Sequence, residues 1–451
     1  MTITKYRKMK NAIKPSIFYG LALVEVLFIF ILNFNHSNQQ YIFTHRYLIL
    51  ADNLLSGGGY SLNGITPEFY PMWGYPLLCM IGVAINSPTI FILAVQAILT
   101  LVGIYIFYKM SSLPQRVIHL FWFIPFIALM SVKWPDAIVA FLLLLYVLSY
   151  TQFLKQTRWI HAIVGGLALG LILNFRSEYI YFPFVVVLFA LIFSRGSFRA
   201  TVKFSSFSFV CSIILLLPWS FRSIANNSGF RTGASNTGLV LFTTLGQLPH
   251  NPWNIVPNDQ YGEDIVKAHG VSDPYSPQGD SILEKAFVES VASRPISFGE
   301  KVGYNFVSIF YRGLYVGEYS RIFMNDALRD STESKLQQQN GMGNKISYLE
   351  ELPAAVSLPY LFEKSLQILF VILFTLMILT VLFQMIKRKH SRKVEYLIPI
   401  LSIICYKFLL VSFVQYEPRH INAIYMFVLF LYLTEKPSIK SKSISLARPS
   451  L

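Results

Sequence analysis

Apolar residues in this chain gather into runs too long for the core of a water-soluble domain. They lie at about 16–34, 88–108, 117–132, 136–154, 159–174, 179–194, 204–218, 363–386, 395–414 and 420–434. A helix needs about 20 apolar residues to cross roughly 30 Å of hydrocarbon, and the shorter runs reach that length through flanking aromatics and tilt. In lipid no water is available to backbone N–H and C=O groups, so each run must satisfy them internally, as a helix does. The stretch Ala137 to Tyr146 lacks the apolar–polar alternation of a membrane β-strand. The expected fold is therefore all-α: a polytopic membrane helical bundle of about 10–12 spans. Tyr75 to Ala84 reads as a further short span or a half-inserted helix. Composition agrees, since only 14% of the 451 residues are charged against about 25% in a soluble domain. A soluble enzyme of this size is excluded.

The net charge of +15 is informative through its placement. With the N-terminus put in the cytoplasm, the inward segments are 1–14, 109–116, 155–158, 195–203, 387–393 and the tail from 435. They hold more than half of the 38 lysines and arginines but only one of the 23 acidic residues, Glu435. This is the positive-inside pattern, and it implies a multi-pass protein of the cell membrane with both termini cytoplasmic. The basic excess then marks topology and attraction to anionic lipid in the bilayer, with no nucleic-acid partner. Four parts follow. Residues 1–218 form an N-terminal transmembrane module with a first outer loop at 35–74, and 219–361 an extracytoplasmic loop region. Residues 362–434 form the C-terminal transmembrane helices and 435–451 a basic cytoplasmic tail. Within the large loop, Ser281 to Ser293 has the apolar spacing of an amphipathic helix, and Asp330 to Gly343 reads as a linker or lid without fixed fold. Cys79, Cys211 and Cys405 are scattered in apolar surroundings and read as packing residues.

Ionisable groups are costly in a membrane, so their placement needs a reason. Here they collect at the outer ends of the predicted helices. Lys133 and Asp136 lie in SVKWPD, Arg176 and Glu178 in NFRSEY, Arg222 in PWSFRS, and Glu417, Arg419 and His420 in YEPRH; the first outer loop adds Asp52 and Glu68. The plain reading is that they cap hairpins and pair locally, Lys133 with Asp136 and Glu417 with Arg419. The chemical reading is that guanidinium groups grip phosphate oxygens bidentately and stay charged when partly desolvated, as an anionic lipid head requires. Nearby carboxylates can then act as general base or hold a divalent cation at a phosphate leaving group. His250, in LPHNPW, is a candidate metal ligand, although a lone loop histidine is more often structural. Gly57, Gly58 and Gly59 read as a flexible turn, because no phosphate-binding Walker pattern follows.

Read in order, these segments resemble the GT-C superfamily of polyprenyl-phosphate-sugar-dependent glycosyltransferases, which includes protein O-mannosyltransferases and aminoarabinose transferases. YLILADNLLSGGGYSLNG with PEFYPMWGYPLL is similar to that family's first outer loop, and WPDAIVAFLLLLYVL to the segment where an acidic residue starts the fourth span. LALGLILNFRSEYIYFP is similar to its Gly-x-x-x-Gly and Arg-x-Glu segment, LPWSFRSIANNSGF to the opening of its large outer loop, and EPRHINAIYMF to its closing motif. The resemblance covers roughly 40–430. It implies a helical bundle with outer-loop helices on the membrane, and a hexosyltransferase-type enzyme. The donor would be a polyprenyl-phosphate sugar and the acceptor a glycan, lipid or protein outside the membrane. It places Arg176, Arg222 and Arg419 at the donor phosphate, and Glu68 where related enzymes carry an acid that helps bind a divalent metal such as Mg or Mn.

One position departs from the family. Its usual Asp lies three or four residues before the tyrosine matching Tyr47, where this chain has Thr44 and Phe43. Asp52 is the nearest carboxylate, but eight residues along a helix is about 12 Å and roughly 80° around. His45 and Asp136 are the other candidates for the base. Two alternatives stay open: a polysaccharide polymerase or ligase using lipid-linked pyrophosphate glycans, and a non-catalytic scaffold of the same fold. A transporter is disfavoured, since neither repeated halves nor paired Gly/Pro-broken helices are visible.

Overall fold

The computed structural model describes residues 13–39, 41–111, 115–193, 197–312, 314–316, 352–387, 397–414 and 417–434, with isolated positions at 331, 332, 335 and 348. Side chains are described within these except at 35–45, 355–356, 384–387, 418–419 and 434. The expected linker at Asp330 to Gly343 lies almost wholly outside the described residues.

The chain is built from helices: α1 Pro15–Gln39, α2 Tyr41–Leu55, α3 Gly74–Ala84, α4 Pro88–Ser111, α5 Ile118–Met130, α6 Pro135–Gln156, α7 Trp159–Phe175, α8 Phe182–Phe193 and α9 Phe198–Ala225. A lobe of short helices follows with α10 Thr237–Thr243, α11 Asp259–Ala268, α12 Pro277–Ser293 and α13 Pro295–Ser308; after it come α14 Ala354–Lys387, α15 Ile398–Phe413 and α16 Pro418–Thr434. No strand forms among the described residues; Ser61 and Pro67 make one isolated bridge. Among the described residues, five segments are long and apolar enough to cross a membrane: Pro15–Phe34, Pro88–Ser111, Pro135–Gln156, Phe198–Ala225 and Ser357–Phe383, and six further apolar helices are shorter. Outward side chains such as Ile31, Phe28, Leu191 and Phe383 are more than half exposed, an apolar surface that a water-soluble monomer rarely carries.

The sequence reading ended a run at 218, but α9 continues through Pro218 for two more turns; α5 likewise contains Pro125, inside the run expected at 117–132. One lost N–H and a local bend are tolerated where neighbouring helices pack around the break. The amphipathic segment at 281–293 is the body of α12, which starts earlier, at Pro277, with Ser276 as its N-cap accepting from the Gly279 N–H at 3.0 Å.

α7 and α9 pack closely along a seam of small residues. A Cβ at Gly166 would meet the Cys211 Cβ at 2.5 Å, and one at Gly170 would meet Leu215 Cδ1 at 2.6 Å. Asn174, at the end of α7, donates to the carbonyls of Gly170 at 2.8 Å and Leu215 at 3.3 Å and accepts from the Trp73 indole. A Cβ at Gly74 would lie 2.6 Å from the Asn174 carbonyl oxygen. The first loop is thus clamped over the end of α7, beside Arg176. The lobe of α10–α13 has its own small core of Leu239, Phe242, Leu245, Ile255, Val266 and Leu283.

Candidate functional site

Four helices bring charged groups to one end of the bundle. Trp134 is extended before Pro135 (φ −112°, ψ 143°), so α6 starts abruptly and Asp136 falls in its first turn, where the helix N-terminus favours a negative charge. At the end of α7 the chain leaves the helix at Arg176 (φ −147°, ψ 92°) and enters a short 3₁₀ turn, Ser177–Tyr181. That turn directs Glu178 toward α15. α16 opens at Pro418 and carries His420 in its first turn.

Asp136 is buried and accepts a hydrogen bond from an Arg176 Nη2 donor. His420 turns Nδ1 toward the second Asp136 oxygen at 3.7 Å. Beside this pair, Lys407 is fully buried and donates to Glu178 Oε1 at 2.7 Å, with its ammonium 4.9 Å from the Tyr179 ring centre. The Tyr406 hydroxyl donates to the Glu178 backbone carbonyl. Cations and carboxylates therefore alternate, as a partly desolvated cluster must if its charges are to persist. Arg176 keeps a buried Nε without a partner.

A second group forms over the first loop. Glu68 is buried; it accepts from Arg46 Nη2 at 2.7 Å and from the backbone N–H groups of Phe69 and Tyr70 at 3.1 Å. Burial raises its carboxyl above the ordinary carboxylate range, against the pull of Arg46 and the Tyr70 N–H. Arg46 also lies 4.4 Å from the Tyr275 ring centre, and Tyr275 stacks on Tyr70, so the lobe of α10–α13 is pinned to the loop. Arg222 sits in an aromatic box, with Tyr60, Phe69 and Trp219 ring centres at 5.1, 5.2 and 5.4 Å. One of its nitrogens donates to the Tyr60 carbonyl at 2.9 Å, and the buried Nη1 has no partner. Tyr47, packed edge-on against Tyr75, lies within electrostatic reach of both Arg176 and Tyr60. It stands between the two groups.

The structure thus assembles Asp136, Arg176, Glu178 and His420, and sets Arg222 with Glu68 in the adjoining group. It does not bring in Asp52, which is exposed and whose carboxylate has no partner among the described residues. The reason is helical geometry: Tyr47, Leu50 and Ala51 form the buried face of α2, and Asp52 lies about 140° from Tyr47. His250 is also apart, exposed and paired at 3.2 Å with Glu300. The side chains of His45 and Arg419 lie outside the described residues. The local pairing of Lys133 with Asp136 is not made; Lys133 donates to Thr89 at 3.4 Å, and burial pushes its amine down to about 8.

The candidate metal ligands are not gathered at one place among the described residues. The Glu68 carboxylate is committed to three N–H donors, His250 is elsewhere, and no three His, Cys, Asp or Glu side chains converge among the described residues. Sequence reasoning missed Lys407 and Arg46. Lys407 had a signal, a lone cation deep in an apolar run; Arg46 had none. Comparison with protein-family models, with curated proteins and with solved structures finds no match.

Proposed function

We propose that this chain is an integral-membrane glycosyltransferase that moves a sugar from a polyprenyl-phosphate donor to a glycan, lipid or protein acceptor on the extracytoplasmic side. The observation that carries the reading is the convergence of Asp136, Arg176, Glu178, Lys407 and His420 from separate helices at one end of an apolar bundle. The buried, unpartnered nitrogens of Arg222 and Arg176 support it, since a buried donor left without an acceptor calls for a ligand. An anionic phosphate is the chemistry that suits them.

In this reading the acceptor hydroxyl attacks the anomeric carbon. A C–O bond forms to the acceptor, the C–O bond to phosphate breaks, and its electron pair leaves on the phosphate beside the two arginines. The hydroxyl proton passes to the ring nitrogen of His420 that does not face Asp136, and Asp136 stabilises the resulting imidazolium. Glu178 and Lys407 hold the Arg176 turn against α15. A second reading has its own observation: Asp136, Glu178 and Glu68 are all already paired with cations, as in a scaffold that binds a lipid-linked glycan without turning it over.

Purified protein incubated with polyprenyl monophosphate and pyrophosphate sugars separates these readings. The proposal expects turnover with a monophosphate donor, reduced by Arg222→Ala and by His420→Ala. Turnover only with pyrophosphate donors identifies a polymerase or ligase. Glycan binding without turnover supports the scaffold, and neither binding nor turnover refutes both.

A further inference from the structure

At the opposite, basic end of the bundle a groove of about 330 Å³ opens between α4, α6 and α7. Its volume is at the lower end of the range for small-molecule sites, about 300–1,000 Å³. The lining is graded along the helix axes. Lys109, Gln152 and His161 lie near the helix ends, whereas Tyr105, Leu145 and Val164 lie further into the membrane-spanning portion. From Gln152 to Leu145 is about 10 Å of helix. The groove faces outward, since Tyr105 on its wall is 49% exposed, so in a bilayer its surroundings are lipid. Lys109 is exposed and has no carboxylate partner among the described residues, and Lys155 in the last turn of α6 and Arg158 at the start of α7 are exposed as well. No acidic side chain lines it.

We infer that this groove is a binding site for one anionic phospholipid of the leaflet on the Lys/Arg-rich side. Its phosphate lies against Lys109, and an acyl chain lies along Leu145, Leu148 and Val164. Charge complementarity selects this occupant: a zwitterionic lipid fills the apolar part equally well but brings its own cation to a rim that is already positive. A basic pocket between membrane helices is physically suited to such head groups.

The test is native mass spectrometry of the full chain released from nanodiscs containing equal phosphatidylglycerol and phosphatidylcholine with the same acyl chains. The expected result is one retained phosphatidylglycerol in preference to phosphatidylcholine. Lys109→Gln, at an exposed position, should lower that preference about fivefold, the equivalent of about 1 kcal/mol per basic residue near the lipid surface. Leu148→Trp, which fills the groove, should remove retention of both lipids. Equal retention of the two lipids by the unaltered protein overturns the inference. So does a preference that survives both substitutions.

Discussion

The Glu178–Lys407 pair gives the sharpest test of how the charged cluster is held, because its two partners differ in exposure. The Lys407 side chain is 0% exposed and the Glu178 side chain 26%. Glu178→Gln leaves a fully buried ammonium without its carboxylate. Removing one member of a buried pair costs about 3–5 kcal/mol, and the low end, about 3 kcal/mol, applies because Asp136 is also within electrostatic reach of Lys407. Lys407→Met leaves a carboxylate that keeps contact with water and has Arg176 nearby, so its cost is about 1–2 kcal/mol. The double variant should cost no more than Lys407→Met alone, a coupling of about 3 kcal/mol. Reversible unfolding in mixed detergent micelles, run on all four proteins, measures these differences. Additive single effects, or a Lys407→Met more damaging than Glu178→Gln, would refute the argument from burial.

Two further outcomes follow from packing and burial. Gly166→Ala places a methyl against the Cys211 Cβ and within 3.0 Å of the Ser208 carbonyl oxygen, and should cost about 1–3 kcal/mol, read as a lower unfolding midpoint. Lys301 is fully buried in α13 and donates to the carbonyl oxygens of Phe413 at 2.6 Å and Val414 at 2.5 Å. Burial pushes its amine from 10.5 down to about 7. Between those values the unfolded chain holds a proton that the folded chain has shed, so stability should climb with pH from about 7, by at most about 1.4 kcal/mol per pH unit. Below that window both states are charged and the slope vanishes. Lys301→Met should flatten the rise between pH 7 and 9, measured as the unfolding midpoint.

Helix positions were legible because lipid and chain geometry act locally. A run such as Pro88–Ser111 has to be helical wherever it packs, whereas the continuation of α9 past Pro218 depends on neighbours that hold the bend. The site was legible as an inventory. Asp136, Arg176, Glu178 and His420 could be selected as polar groups at helix ends, but their partners could not. Lys133 and Asp136 are three residues apart and still pair elsewhere, with Thr89 and Arg176 respectively. Asp52 shows the converse: it was the right residue type on the right loop, and about 140° around α2 separates it from Tyr47 on the buried face.

By itself, the chain's sequence determined that it is helical, apolar enough for a bilayer and asymmetric in charge. Each of these depends on the hydration of single residues and the hydrogen bonding of their own backbone. Tertiary structure alone decided which charge meets which, because Glu178, in the turn after α7, and Lys407, on α15, are brought together by the packing of α15 on α8. An ion pair of that kind depends on distance and on the exclusion of water, and neither is a property of any one stretch of chain.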